Sequence, residues 1–205
     1  MELRDKNGRT EAEFLTQYRP RDYKRPSVTA DIAVFRSMPE GEELLLIRRG
    51  GHPYLGKWAL PGGFSEESES VEQTAMRELE EETHLTGLPI EPVGLFSTPG
   101  RDPRMWVMSE GYVARITDQQ AIPVAGDDAA DAAWFRVRAQ QTGETLTLDF
   151  TGTAETFSAV LYRKTVLGIV GVRTEYMLQD SGGLAFDHAR IIAYAMQKIG
   201  LLSSV

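Results

Sequence analysis

Three glutamates, Glu78, Glu81 and Glu82, sit in the run Arg77-Glu78-Leu79-Glu80-Glu81-Glu82-Thr83. At about 100° per residue, positions i, i+3 and i+4 of a helix fall within an arc of roughly 100° on one face. Carboxylates that close repel one another even in water, and more strongly when partly buried. A divalent cation offsets the repulsion and turns the cluster into a site. Taken alone, an acidic run is also what a solvated helix face looks like, so its flanks have to decide. The chain has no cysteine, and its three histidines (His52, His84, His188) are widely scattered, so any metal is held mainly by oxygen. That donor type points to magnesium, calcium or manganese.

The surrounding pattern supplies elements to carry such a cluster. Ser70 to Thr83 reads as a helix, preceded by the break Pro61-Gly62-Gly63. Val28, Ala30, Ile32 and Val34 alternate with Thr29, Asp31 and Ala33, the pattern of a strand with one polar face. Leu44–Ile47, Val93–Ser97, Met105–Ile116 and Ala132–Val137 are further strand candidates. Thr10-Glu11-Ala12-Glu13 has the form of a capping box before a short helix that ends ahead of Pro20. Between Gly143 and Gly183 three β-rich runs separated by glycines read as an antiparallel excursion. Asp187 is placed to cap a last helix that stops at Gly200. The expected organisation is an N-terminal helical extension (1–26), a core (27–142), a β-rich insertion (143–183) and a C-terminal helix packed on the core (184–205).

The flanks of the acidic run carry a resemblance. Gly63, Glu69, Arg77, Glu78, Leu79, Glu81, Glu82 and Leu85 meet the pattern G-x5-E-x7-R-E-U-x-E-E-x-G-U, with U aliphatic, of the Nudix box. Gly56-Lys57-Trp58-Ala59-Leu60-Pro61-Gly62-Gly63 also looks like the approach to that box. The family implies an α/β fold, an α/β/α sandwich around a mixed sheet, with the box as loop–helix–loop. By the same resemblance Glu78, Glu81 and Glu82 would be catalytic metal ligands, with the Gly62 carbonyl as a further one. Gly63, Glu69 and Arg77 would be structural, the last two as an ion pair that positions the helix. Magnesium is the implied ion, with manganese as a substitute. The chemistry suits hydrolysis of P–O–P, in which metal ions neutralise phosphate oxygens and align an activated water. One position departs from the pattern: its late glycine is His84 here, which histidine can fill as a left-handed helix cap at modest cost.

Substrate hints lie in Ser97-Thr98-Pro99-Gly100-Arg101-Asp102-Pro103-Arg104, a loop fixed by prolines and glycine that carries two arginines. Their planar forks suit phosphate, although a solvent-exposed turn would look the same. This loop, Arg25-Pro26-Ser27-Val28-Thr29-Ala30-Asp31, and Leu184-Ala185-Phe186-Asp187-His188 resemble the ADP-ribose pyrophosphatase group and its regulator relatives. The resemblance runs from about Thr10 to Val137 and again from Leu184 to Gly200, leaving the Gly143–Gly183 excursion unaccounted for. Arg101, Asp102, Arg104, Arg49 and Phe186 are the candidate substrate-binding residues. Tyr54, Trp58, Trp106 and Phe186 are candidates for stacking a base, with core packing the better reading for Trp58 and Trp106. The general base stays open among Asp102, Glu110, Asp127, Asp128 and Glu81.

The implied activity is magnesium-dependent hydrolysis of ADP-ribose to AMP and ribose 5-phosphate. The alternatives are another nucleoside diphosphate sugar, a dinucleotide or a damaged nucleoside triphosphate as substrate, or a non-catalytic ADP-ribose sensor that regulates transcription. A net charge of −8 gives no electrostatic reason to collect on nucleic acid. No stretch reads as a secretory signal or a membrane span, so a cytoplasmic protein is expected. Apolar residues of the excursion (Leu161, Val166, Leu167, Ile169, Val170) are hard to leave exposed, so it is expected to extend the sheet or form a subunit contact, and a homodimer is predicted.

Overall fold

A strand buried on both faces from residue 29 to residue 35, β1 (Ser27–Met38), runs through the centre of the molecule. The computed structural model of the chain describes residues 2–117, 123, 124 and 129–203. A tight turn joins β1 to antiparallel β2 (Gly41–Arg49), with Met38 opposite Gly41. On its other side β1 runs parallel to β6 (Val107–Ile116), which pairs with the edge strand β5 (Ile90–Phe96). Beyond β2 come β7 (Ala129–Thr142), β8 (Thr145–Thr151), β9 (Thr156–Gly168) and β10 (Gly171–Asp180), each antiparallel to the one before. The mixed sheet therefore has the order β10-β9-β8-β7-β2-β1-β6-β5.

Two short strands split off this path. β3 (Trp58–Ala59) pairs with β2, and β4 (Gly62–Phe64) pairs with β1. β1 thus holds β2 along residues 35–38 and β4 along residues 29–31. The chain opens a fork between them, and the acidic helix leaves from it. The Pro61-Gly62-Gly63 break is accordingly the entrance to a strand rather than an interruption between elements.

Because successive strand side chains point to opposite faces, β1 feeds two cores. Ala30, Ile32 and Val34 join Leu45 and the inward residues Ala75 and Leu79 of helix α2 (Val71–Thr83). Ala33 and Phe35 join Leu46 and Ala189, Ile192, Ala193 and Met196 of helix α3 (His188–Lys198). One helix covers each face, the α/β/α arrangement expected. The expected polar face of β1 is a correction: Thr29 and Asp31 are buried, 8% and 7% exposed. They face the fork, where side chains from other elements cover them.

The excursion after residue 143 extends the sheet. Leu146, Leu148, Phe150, Ala159 and Leu161 are completely buried in the α3-side core, so the larger core cannot be built without them. Only its far hairpin projects: Ile169 and Val170, at the β9–β10 turn, are fully exposed. Helix α1 (Glu11–Gln17) forms behind its capping box of Thr10 and Glu13 but buries no residue. His84 caps α2 in the left-handed region (φ 60°, ψ 15°), its N–H donating to the Glu80 carbonyl at 2.8 Å. Asp187 precedes α3 without making a side-chain cap bond, since its carboxylate is engaged elsewhere. Among the described residues no helix is long and apolar enough to cross a membrane.

The burial of Phe150, stacked on Phe157 at 5.0 Å between ring centres, gives a direct check on the excursion. Phe150→Ala should lower stability by about 3–5 kcal/mol in urea unfolding, as a large-to-small change in a closed core does. A loss under ~1 kcal/mol would mark the excursion as an appendage.

Candidate active site

α2 starts with Ser70, whose hydroxyl accepts the N–H of Gln73 while the Gln73 side chain accepts the N–H of Ser70. Ala75 and Leu79 anchor it to the sheet, which leaves Glu78 and Glu82 turned toward the fork. Arg77 then ties helix to loop. Its Nε and Nη2 form a fork on the Glu69 carboxylate at 3.1 and 2.8 Å, and Nη2 also reaches the Phe64 carbonyl at 3.0 Å. Its Nη1 donates to Glu78 at 2.8 Å and to Glu81 at 2.9 Å. This guanidinium pulls the Glu69 carboxyl down to about 2, and the three carboxylates together raise Arg77 above its ordinary value.

The fork opens into a cavity of about 690 Å³. Glu82 is 9% exposed at its floor, with Oε2 accepting the Gly62 N–H at 2.8 Å. Burial pushes its carboxyl up to about 8, with Glu78 and Asp31 adding to the effect and Gly62 and Arg49 opposing it. Burial also raises Glu78, against the pull of Arg77. Two glycines make the approach possible. A Cβ at Gly63 would run into the Glu78 carboxylate, and one at Gly62, whose φ is +154°, into the Ala30 carbonyl. Any side chain at either position would part β4 from β1 or displace Glu78.

The three carboxylates do not all face the cavity. Glu78 and Glu82 line the cavity, but the Glu81 side chain is 56% exposed at its rim and held by Arg77. Among the described residues no three acidic or histidine side chains stand close enough to hold one ion as they are placed. The donor set nevertheless fits a hard divalent cation. It is all oxygen, Glu78 and Glu82 are desolvated, and one added cation would offset both the burial and the mutual repulsion. Glu78, Glu82 and the Gly62 backbone would hold it, with Glu81 beside them.

The expected substrate residues divide. Arg101 is buried and forks onto Asp187 Oδ1 at 3.0 and 2.7 Å, so it tethers the β5–β6 loop to the start of α3 and is not a free phosphate cation. Asp102 holds Arg104 at 2.7 Å and accepts its backbone N–H, contacts that keep its carboxyl low and make it a poor base. Arg49 and Arg104 lie 5.0 and 5.8 Å from the Phe186 ring centre, and Arg104 also lies 5.1 Å over Phe64. Burial, then Arg104, lowers Arg49, so these two cations await negative charge at the cavity wall. Tyr54 packs edge-on against Phe186 at 4.7 Å. Trp58 is a core residue, 4% exposed, whereas Trp106, also expected in the core, is 53% exposed. Glu110 lies outside the cavity lining, and Asp127 and Asp128 lie outside the described residues.

Sequence reasoning missed the polar floor beneath the cavity. Ser109 Oγ donates to the Asp31 carboxylate, Arg101 Nη2 lies 3.8 Å away, and His188 Nε2 is 3.6 Å from Asp31 Oδ1. His188 Nδ1 accepts the Leu60 N–H at 2.9 Å, which puts the ring proton on Nε2. Burial lowers the pKa of this ring and keeps it neutral. The available signal was Asp31 itself, a carboxylate in the middle of an apolar strand, where aspartate is depleted.

The NUDIX domain family model matches residues 26–149, from the threshold of β1 into β8. The ADP-ribose pyrophosphatase of Methanocaldococcus jannaschii is 37% identical over 113 residues, covering 55% of this chain and 63% of that protein. The chain thus spans less than two thirds of that relative's length. A crystallised MutT/nudix family protein from Enterococcus faecalis is similar with a TM-score of 0.72 and 35% identity, over 93% of this chain and 70% of that one. The NUDIX domain of Shewanella oneidensis NrtR, complexed with ADP ribose, gives a TM-score of 0.64 at 28% identity, over 93% of this chain and 99% of that one.

The Glu69–Arg77 pair makes a prediction about acid stability. A carboxyl lowered from 4.5 to about 2 in the folded state stabilises fully above pH 4.5, and that contribution is lost as pH falls toward 2. The urea midpoint of the wild type should therefore fall more steeply over that range than that of Glu69→Gln. Parallel pH profiles would contradict the pairing.

Proposed function

The chain belongs to the NUDIX family, and from that premise we propose that it hydrolyses the pyrophosphate bond of ADP-ribose, releasing AMP and ribose 5-phosphate. One observation carries the reading: desolvated carboxylates of Glu78 and Glu82 on one side of a cavity whose wall also presents Arg49 and Arg104. Carboxylates alone would repel a diphosphate, and arginines alone would merely bind it. The combination suits a diphosphate bridged to a divalent cation.

In this reading the ion is magnesium, with manganese able to replace it, held by Glu78, Glu81, Glu82 and the Gly62 carbonyl. When bound, it supplies neutralisation of phosphate charge and activation of water for in-line attack. The protein's own part is placement. Arg77 and Glu69 fix the pitch of α2 on its entry loop, so that Glu78 and Glu82 are presented together. Arg49 and Arg104 take up diphosphate charge, their guanidinium planes set by Phe186 and Phe64. Arg101 keeps the loop bearing Arg104 docked on α3. As part of the same reading the enzyme works in the cytoplasm.

Glu82→Gln and Glu81→Gln should each lower magnesium-dependent AMP release by at least about 100-fold, a loss matching several kcal/mol of charge stabilisation. Full activity in either variant would sink the assignment. A panel of nucleoside diphosphate sugars, dinucleotides and oxidised nucleoside triphosphates separates ADP-ribose from the other substrates of this class. The similarity to the NrtR domain complexed with ADP ribose favours a second reading, a ligand sensor without catalysis. That reading requires a salt-dependent shift of duplex DNA at sub-micromolar protein. The exposed hairpin of Leu167, Ile169 and Val170 supports a homodimer, expected as a dimer in sedimentation at micromolar concentration. A clean monomer would count against it.

A further inference from the structure

Trp106 and Met105, between β5 and β6, are 53% and 51% exposed, whereas Trp58 in the core is 4% exposed. An indole is among the least suitable side chains to leave in water, because it carries a large apolar area. The placement of Trp106 is nonetheless fixed by its backbone, whose carbonyl accepts the Ser27 N–H at 2.9 Å as β1 begins. Trp106 lines a groove of about 640 Å³ together with Met105, Met108, Pro99 and Pro103. Asp102 and Arg104 line both this groove and the acidic cavity, so the two adjoin at the Asp102–Arg104 pair.

We infer that this groove takes the nucleobase of a nucleoside diphosphate whose phosphates lie in the acidic cavity, with the base stacked on the indole of Trp106. The inference rests on the proposed function and adds to it the residue that recognises the base. The chemistry of the groove disfavours phosphate as its occupant: prolines, thioethers and an indole make up most of its lining, Asp102 adds negative charge, and Arg104 is shared with the acidic cavity. A flat, weakly polar ring system suits such a surface, since every base presents a π face to an aromatic side chain. The order of features also matches the ligand. Trp106, then Arg104, then Glu78 and Glu82 offer in turn a surface for a base, a cation for a diphosphate and oxygen donors that would hold a divalent ion. Phosphate binding is then the work of Arg49 and Arg104, and base binding is separable from it.

That separability is the test. Binding of magnesium-ADP and of magnesium-pyrophosphate to the full chain is measured by calorimetry for the wild type, Trp106→Ala and Trp106→Phe. Trp106→Ala should weaken ADP roughly 10- to 100-fold, the usual effect of removing one stacking partner. Pyrophosphate affinity should stay within about twofold, and Trp106→Phe should restore most of the affinity for ADP. Equal weakening of both ligands, or of neither, overturns the assignment while leaving the diphosphate site standing. A change in sedimentation of Trp106→Ala with ADP affinity intact would make the groove a subunit contact and overturn it as well. A wild type that binds neither ligand overturns the nucleotide reading itself, and the groove assignment with it.

Discussion

Holding two carboxylates out of water beside each other is the constraint around which this molecule is arranged. Glu82 accepts a single backbone N–H from Gly62, and Glu78 shares Arg77 with its neighbours. Neither contact restores what burial removes, so both carboxyls sit above their ordinary pKa range. A side chain in that position is unfavourable for folding unless positive charge arrives. The surroundings keep the cavity ready for such charge rather than relieving it internally. Glycine at 62 and 63 lets β4 press against β1 and leaves no bulk between strand and helix. Thus two residues without side chains do as much to build the site as those with carboxylates.

The walls of the site come from distant parts of the sequence, and a set of buried polar contacts joins them. Arg101 on the β5–β6 loop grips Asp187 ahead of α3, and the His188 ring joins Leu60, just before β4, to Asp31 on the central strand. Four segments therefore meet in one polar floor beneath the cavity. In a buried network, removing one partner strands another, so this floor is rigid by the same logic that makes it expensive to break. Arg49, bonded to the Pro53 carbonyl, and Arg104, bonded to Asp102, stand at the cavity wall. Both guanidinium groups lie close to the ring of Phe186, a residue with a φ of 52°.

Much of this was legible in the sequence because it is local. The acidic spacing, the Thr10 cap, the left-handed His84 and the alternation of β1 all follow from periodicity or from a single residue's backbone preference. The box pattern also indicated the ion pair between Glu69 and Arg77, which are eight residues apart. What escaped was set by contacts across the chain. Asp31 was taken for solvent-facing because alternation shows which residues share a face but not what covers that face. Arg101 and Arg104 are alike in sequence, yet one is tied to a carboxylate 86 residues away and the other, at the cavity wall, to Asp102 two residues away. Trp106 looked like core by type, but it follows a proline-rich loop that ends outside the sheet. The β8–β10 excursion was legible as strands that extend the sheet, but its register against β7 was not, since register depends on a partner strand rather than on its own pattern.

The central claim is that Glu82 helps hold a divalent ion where it meets both phosphates of the ligand. Phosphorus NMR of an α,β-methylene analogue of ADP-ribose in the presence of manganese reports this most directly, because the ion accelerates relaxation of nearby phosphorus. The account predicts strong relaxation of both phosphorus signals with the wild type and its loss with folded Glu82→Gln. Equal relaxation with the two proteins would contradict it.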